Sequence, residues 1–136
     1  DGVLREEIKL IIEKRSLEDQ VKIKGAIRTQ SEIKKYMEYA DYVVIPSRWE
    51  GLPNVLVESF EARTPVIATE CAAAGYIVDS ENGLLIRELT AEGLKQTITR
   101  ALKLKKKSRT MRKAAYETSR QFAPQRIYKQ WQELIS

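Results

Sequence analysis

Two glutamates, Glu50 and Glu58, bracket the run Gly51-Leu52-Pro53-Asn54-Val55, which leads out of a loop into a helix-forming stretch. An ionised carboxylate only accepts hydrogen bonds, so both acids suit a ligand with vicinal hydroxyls, Glu50 in the loop for a hexose and Glu58 on the helix for a ribose. Backbone N–H groups in the first turn of a helix have no partner inside it. With the helix dipole they favour a phosphate or hydroxyl oxygen. Gly51 would let such a ligand approach the backbone closely. Spacing alone leaves a plainer alternative open, in which Glu50 complements the helix N-terminus and Glu58 is an ordinary exposed helix residue.

The residues that are lacking narrow the chemistry further. The chain holds no histidine and a single cysteine, Cys71. Catalysis by a Ser-His-Asp or Cys-His set is therefore excluded for this chain alone, as are a histidine-ligated metal and an internal disulfide framework. A reducing cytoplasm is the expected compartment, with attachment to a membrane surface as a further expectation. No apolar run approaches the roughly 20 residues needed to cross a bilayer, and the polar opening Asp1 to Glu7 cannot act as a secretory signal. The net charge of +5 suits phosphate-rich ligands or anionic surfaces without choosing between them. Arg100 to Lys113 carries eight lysines and arginines and no acid, and reads as a solvated helix face and turn, with a membrane or polyanion contact as the sharper alternative.

A strand must precede the two acids and a helix must follow. Tyr42 to Pro46 is a continuous apolar run, the pattern of a parallel strand buried on both faces, and Pro46 ends it. Ser47 to Pro53 is then a loop and Asn54 to Arg63 a helix, with Pro53 in its first turn. Val66-Ile67-Ala68 gives a second buried strand, and Glu81-Asn82-Gly83 is turn chemistry leading into a third, Leu84 to Ile86. Upstream, Leu4, Ile8, Ile11 and Ile12 mark a helix from Leu4 to Lys14, and Val21 to Gly25 alternates like a short strand near a sheet edge. Ser31 is expected to cap a helix whose core face is Ile33, Tyr36, Met37 and Ala40, and Thr90 to cap a last pair of helices. Strands alternating with helices predict an α/β fold with a mostly parallel sheet, in one domain over residues 1–136. Ligands of such sheets bind beyond the carboxyl ends of the strands, where Ser47 to Pro53 lies. Trp49 is expected to line a pocket or anchor this loop, Cys71 to be a small core or loop residue, and Tyr128 and Trp131 to pack against the domain body or a partner domain.

The stretch Pro46 to Glu58 resembles the E-x7-E signature of the retaining, GT-B-fold glycosyltransferases of the group 1 family, with Glu50 and Glu58 matching its two acids. The resemblance covers nearly the whole chain. Asp1-Gly2-Val3-Leu4-Arg5 is similar to the family's G-D-G-P-L-R turn, Val21 to Gly25 to its next strand, and Ala40 to Ser47 to its A-D-x-x-x-x-P-S element. Thr64 to Thr69 and Glu81 to Leu85 match the strands after the signature, and Phe122 to Leu134 resembles the closing helix. The resemblance implies a Rossmann-like sheet flanked by helices, part of the C-terminal domain of a GT-B fold. It implies that Glu50 contacts the donor sugar as donor-binding and catalytic residue, and that Glu58 contacts the nucleotide ribose. Gly51, Leu52, Pro53, Asn54 and Val55 would lie near the sugar and diphosphate. The implied reaction transfers a glycosyl group from a nucleoside-diphosphate sugar to an acceptor hydroxyl with retention. The acceptor would be a sugar, a lipid-linked acceptor or a polysaccharide, with no cofactor and no required metal.

Two departures from the family pattern matter. Ala72-Ala73 and Tyr76 stand where the family usually has a Gly-Gly pair and a glutamate. The family's first two strands of this domain, with an arginine and a lysine that neutralise the diphosphate, would lie upstream of Asp1, together with the acceptor-binding N-terminal domain. Without those cations no turnover is expected from this chain alone, because stabilising charge on the leaving diphosphate is a large share of such catalysis. An unpaired sheet edge would also invite a homodimer. A non-catalytic interaction or regulatory module of the same fold is the alternative. Nucleic-acid binding, tested by changing Lys105, Lys106 and Lys107, is not expected, because the basic run lacks a stacking or groove-reading motif.

Overall fold

The computed structural model of the chain describes residues 2–73, 75–77, 79–104 and 108–135. Asp1 of the opening turn and Lys105, Lys106 and Lys107 of the basic run lie outside the described residues, as do the side chains of Ala72 and Ala73. Residues 1–33 and 34–136 form two compact units.

In the first unit, α1 (Arg5–Lys14) has Glu6 and Glu7 in its first turn and Lys14 in its last, both favourable to the helix dipole. Of its expected apolar face only Ile12 is buried, while Leu4, Ile8 and Ile11 remain exposed. The strand expected at Val21 to Gly25 does not form: residues 21–29 are irregular, and Gly25 adopts a left-handed φ of 70°. Alternation supplies a strand's two faces, but a strand exists only when a neighbour takes its hydrogen bonds, and this unit holds no other strand among its described residues. Helix α2 (Gln30–Tyr39), most of which belongs to the second unit, starts one residue before Ser31, with the Thr29 carbonyl accepting from the Glu32 and Ile33 amides at 3.1 Å. Of the face assigned to it, Met37 is buried and Tyr36 is exposed.

The second unit is built on a parallel sheet in the order β1 (Val43–Ile45), β2 (Val66–Thr69), β3 (Gly83–Ile86). Val44 pairs with Ile67 and Ile67 with Leu84, so the three carboxyl ends point the same way. All four residues of β2 are buried, as a continuous apolar run requires. β1 departs from that expectation, since Val44 is 41% exposed. It pairs only with β2 among the described residues, and an edge position leaves part of its surface uncovered.

Alternate residues of β2 serve two cores. Val66 and Ala68 pack with Ile45, Leu56, Phe60, Ile77 and Ala115. Ile67 faces the other way and packs with Leu84, Ile86, Ala101 and Met111. Helices α3 (Asn54–Glu61) and α6 (Ser108–Ser119) pack together, and α5 (Ala91–Lys103) packs on β3. The cap expected at Thr90 is present, its hydroxyl oxygen accepting from the Gly93 amide at 3.0 Å. Among the described residues three α-helices rather than the expected two follow Thr90, the last being α7 (Pro124–Ile135). Tyr128 and Trp131 on α7 are exposed, so neither packs against the body of the unit. No helix among the described residues is long and apolar enough to cross a membrane.

Candidate functional site

The candidate site is the connection from the carboxyl end of β1 into α3. Pro46 is the first residue past β1, and Pro53 is the N-cap of α3 rather than its first helical residue, with an extended ψ of 128°. A proline has no side-chain acceptor, and no side chain of this cap satisfies the first-turn amides. The helix follows from Leu56 and Phe60, both fully buried one turn apart, and from the Leu56 amide bonding to the Pro53 carbonyl at 3.0 Å. It ends at Glu61, two residues before the expected Arg63, because Arg63 takes a left-handed φ of 61° and the Thr64 amide turns back to the Ser59 carbonyl at 2.8 Å.

Glu50 is exposed in the loop, and the Ser47 hydroxyl donates to its carboxylate at 3.1 Å. Glu58 lies half-buried on α3. The two acids therefore occupy one loop–helix unit, one on the solvent side and one against the body. Gly51 and Leu52 are exposed, Pro53 is buried, Asn54 is exposed and Val55 half-buried at the start of α3. A methyl group added at Gly51 would meet nothing within 4 Å, so chain packing does not require glycine there. Trp49 is 89% exposed, which rules out the buried loop anchor and leaves its indole on the open face of the loop.

Two residues reach this loop from the end of β2: Thr69, and Cys71, which is neither the core nor the loop residue expected but an exposed position on a short helix. The Thr69 hydroxyl, at the end of β2, donates to the Ser47 carbonyl at 2.6 Å. Cys71, on the one-turn helix α4 (Glu70–Ala73), is exposed, and its sulfur lies 3.2 Å from the Ser47 carbonyl oxygen and 3.0 Å from that of Arg48. A signal existed for the first: a hydroxyl inside a wholly buried strand must find an acceptor. At the same end of the sheet Arg87 follows β3, 3.9 Å from both Glu70 and Asp79.

Other polar groups are structural. Asp79 accepts from Arg100 at 2.6 Å and from the Leu85 amide at 3.1 Å, which ties one member of the basic run to the base of β3. A groove of about 1040 Å³ shares no lining residue with the Ser47 to Glu58 unit, although five cations line it. Four of those cations are already committed. Lys34 lies 3.9 Å from Glu38, Lys113 lies 3.7 Å from Glu117, and Arg63 stacks 4.2 Å over the Tyr116 ring. Arg112 donates to carbonyl oxygens that end α2 and follow α3. Four of the five cations that line this groove are thus engaged by partners within the chain.

A three-stranded parallel sheet flanked by helices, with a loop–helix unit at its carboxyl end, places the chain among the GT-B glycosyltransferases. Residues 1–118 match the family model of the glycosyl transferases group 1, and the chain belongs to that family. It is 24% identical over 136 residues to an amylovoran biosynthesis glycosyltransferase of Erwinia amylovora, covering 100% of this chain and 38% of that protein. It is 31% identical over 124 residues to an uncharacterized glycosyltransferase of Methanocaldococcus jannaschii, covering 90% of this chain and 35% of that protein. Among solved structures it is similar to HepE of Anabaena in complex with UDP, with a TM-score of 0.82 and 25% identity over 96% of this chain and 36% of that one. The chain thus spans between a third and two fifths of the length of these three proteins.

Proposed function

We propose that this chain supplies part of the donor site of a retaining glycosyltransferase, which moves a glycosyl group from a nucleoside-diphosphate sugar to an acceptor hydroxyl. The observation that carries the reading is the loop–helix unit at the carboxyl end of β1, with Glu50 exposed in the loop and Glu58 half-buried on α3. Glu58 accepts from the ribose hydroxyls and Glu50 from the hexose hydroxyls, because a carboxylate can take both donors of a vicinal diol. The amides from Gly51 to Val55, at the positive end of α3, face the sugar and diphosphate, with Leu52, Pro53 and Asn54 shaping that wall. The family membership and the UDP complex of the similar HepE support a nucleotide donor. Retention rests on the resemblance of Glu50 and Glu58 to the family signature, and no metal is required in this reading. Turnover in this reading draws on cations for the leaving diphosphate and on an acceptor site, and the chain, spanning between a third and two fifths of the length of these relatives, is expected to bind donor without transferring the sugar. The acceptor is a sugar, a lipid-linked acceptor or a polysaccharide.

The alternative is a non-catalytic module of the same fold. It is favoured by α4, where Ala72-Ala73 sit in helix at positions the family usually fills with glycines, and alanine is the better helix former. Calorimetric titration with UDP and GDP, free and as hexose conjugates, separates the two. Glu58→Ala should weaken every nucleotide about tenfold or more, as loss of a charge-assisted hydrogen bond does, and Glu50→Ala should weaken only the conjugates. A wild-type chain that binds none of them at millimolar concentration refutes the donor site in this chain.

A further inference from the structure

Thr69 is 4% exposed at the end of a strand whose every residue is buried, yet its hydroxyl donates to a carbonyl 22 positions earlier, that of Ser47, at 2.6 Å. Cys71 joins the same contact. Its sulfur is 3.2 Å from the Thr69 hydroxyl, 3.2 Å from the Ser47 carbonyl oxygen and 3.0 Å from the Arg48 carbonyl oxygen. Ser47, fixed by its backbone, then donates its own hydroxyl to the Glu50 carboxylate at 3.1 Å. A continuous polar path therefore runs from the rigid end of β2 to the exposed acid of the loop.

We propose that Thr69 and Cys71 are positioning residues, a latch that fixes the Ser47–Arg48 backbone and through Ser47 sets Glu50 for the hexose of the donor. The assignment of the hexose rests on the donor reading above; the latch itself does not. The first residues past β1 lie beyond the last sheet pairing, at Ile45 with Ala68, so the ladder does not hold them. The hydroxyl supplies a strong donor from a buried, ordered strand, and the thiol adds a weaker contact one carbonyl further along. Neither residue touches the donor in this arrangement. Their effect is felt through Glu50, and so by the sugar rather than by the nucleotide.

The chain's two tryptophans make the test direct. In a Trp131→Phe background the only indole is Trp49, 89% exposed on the loop, and its time-resolved fluorescence anisotropy reports local motion without any ligand. Thr69→Val, which removes the hydroxyl at nearly constant shape, should lower the residual anisotropy of Trp49, and Thr69→Ser should restore it. The same Thr69→Val chain should bind UDP-glucose about tenfold more weakly while free UDP changes by less than about twofold, a split that general destabilisation does not produce. Cys71→Ala, at an exposed position, should show the smaller effect of the same sign and serves as the second variant if Thr69→Val does not fold by circular dichroism. Anisotropy unchanged in both Thr69→Val and Cys71→Ala overturns the latch, whatever binds. A wild-type chain that binds neither UDP nor UDP-glucose overturns the donor reading and, with it, the hexose role of Glu50, and the anisotropy alone then decides the latch.

Discussion

Arg112→Met separates a structural use of the basic run from a ligand-binding one. The guanidinium donates to the carbonyl oxygens of Glu38 at 3.4 Å and Arg63 at 3.3 Å, and also to that of Ala40. Glu38 and Ala40 lie at the carboxyl end of α2 and Arg63 just past that of α3, where backbone acceptors have no intrahelical partner. A hydrogen bond from a charged donor contributes about 1.5–3 kcal/mol when its loss leaves the partner buried. The Ala40 contact is part-buried, whereas the other two are exposed and long. One bond is therefore counted nearly in full and the other two at a few tenths each, for a loss of about 2–3 kcal/mol on the same scale. Methionine keeps most of the aliphatic stem, so the loss is mainly that of the donors. At roughly 4 °C per kcal/mol for a domain of this size, Tm should fall by about 8–12 °C. Lys113→Met is the control, since its exposed partner Glu117 lies 3.7 Å away and such a pair contributes at most about 1 kcal/mol. Thermal and urea unfolding followed by circular dichroism compare the two. Equal, small shifts for both variants refute the helix-end role of Arg112.

Two further outcomes follow from single contacts. Gly83→Ala should destabilise the chain by about 1–3 kcal/mol in urea unfolding, because the new Cβ would fall 2.5 Å from the Val66 carbonyl oxygen of the adjacent strand and the sheet must open to admit it. Burial, reinforced by Asp41 and opposed by Arg112, holds the Tyr42 phenol above its ordinary value of 10.0. The folded chain then keeps that proton where the unfolded chain loses it, so this contribution is intact below about pH 10 and disappears as pH rises through the folded value. Urea midpoints on either side of about pH 10 should fall less in Tyr42→Phe than in the wild type, and parallel profiles would contradict this sign.

The sequence by itself determined what depends on near neighbours along the chain. The wholly apolar Val66-Ile67-Ala68 read as a strand buried on both faces and is one, Thr90 declared the cap of α5, and the apolar spacing after Pro53 declared α3. The candidate acids and their loop were legible for the same reason, as a strand, a loop and a helix read in order. Tertiary structure decided what depends on residues far apart in sequence. Val44 is exposed because β1 stands at an edge, and Val21 to Gly25 is no strand because pairing, not alternation, makes one. Trp49 faces solvent although its type suggests an anchor. The Thr69 hydroxyl meets Ser47 across 22 positions, and Arg112 meets Ala40 across 72. Periodicity and capping act over a turn of helix or a few residues of strand, whereas a buried hydroxyl or guanidinium finds its acceptor only after the chain has closed on itself.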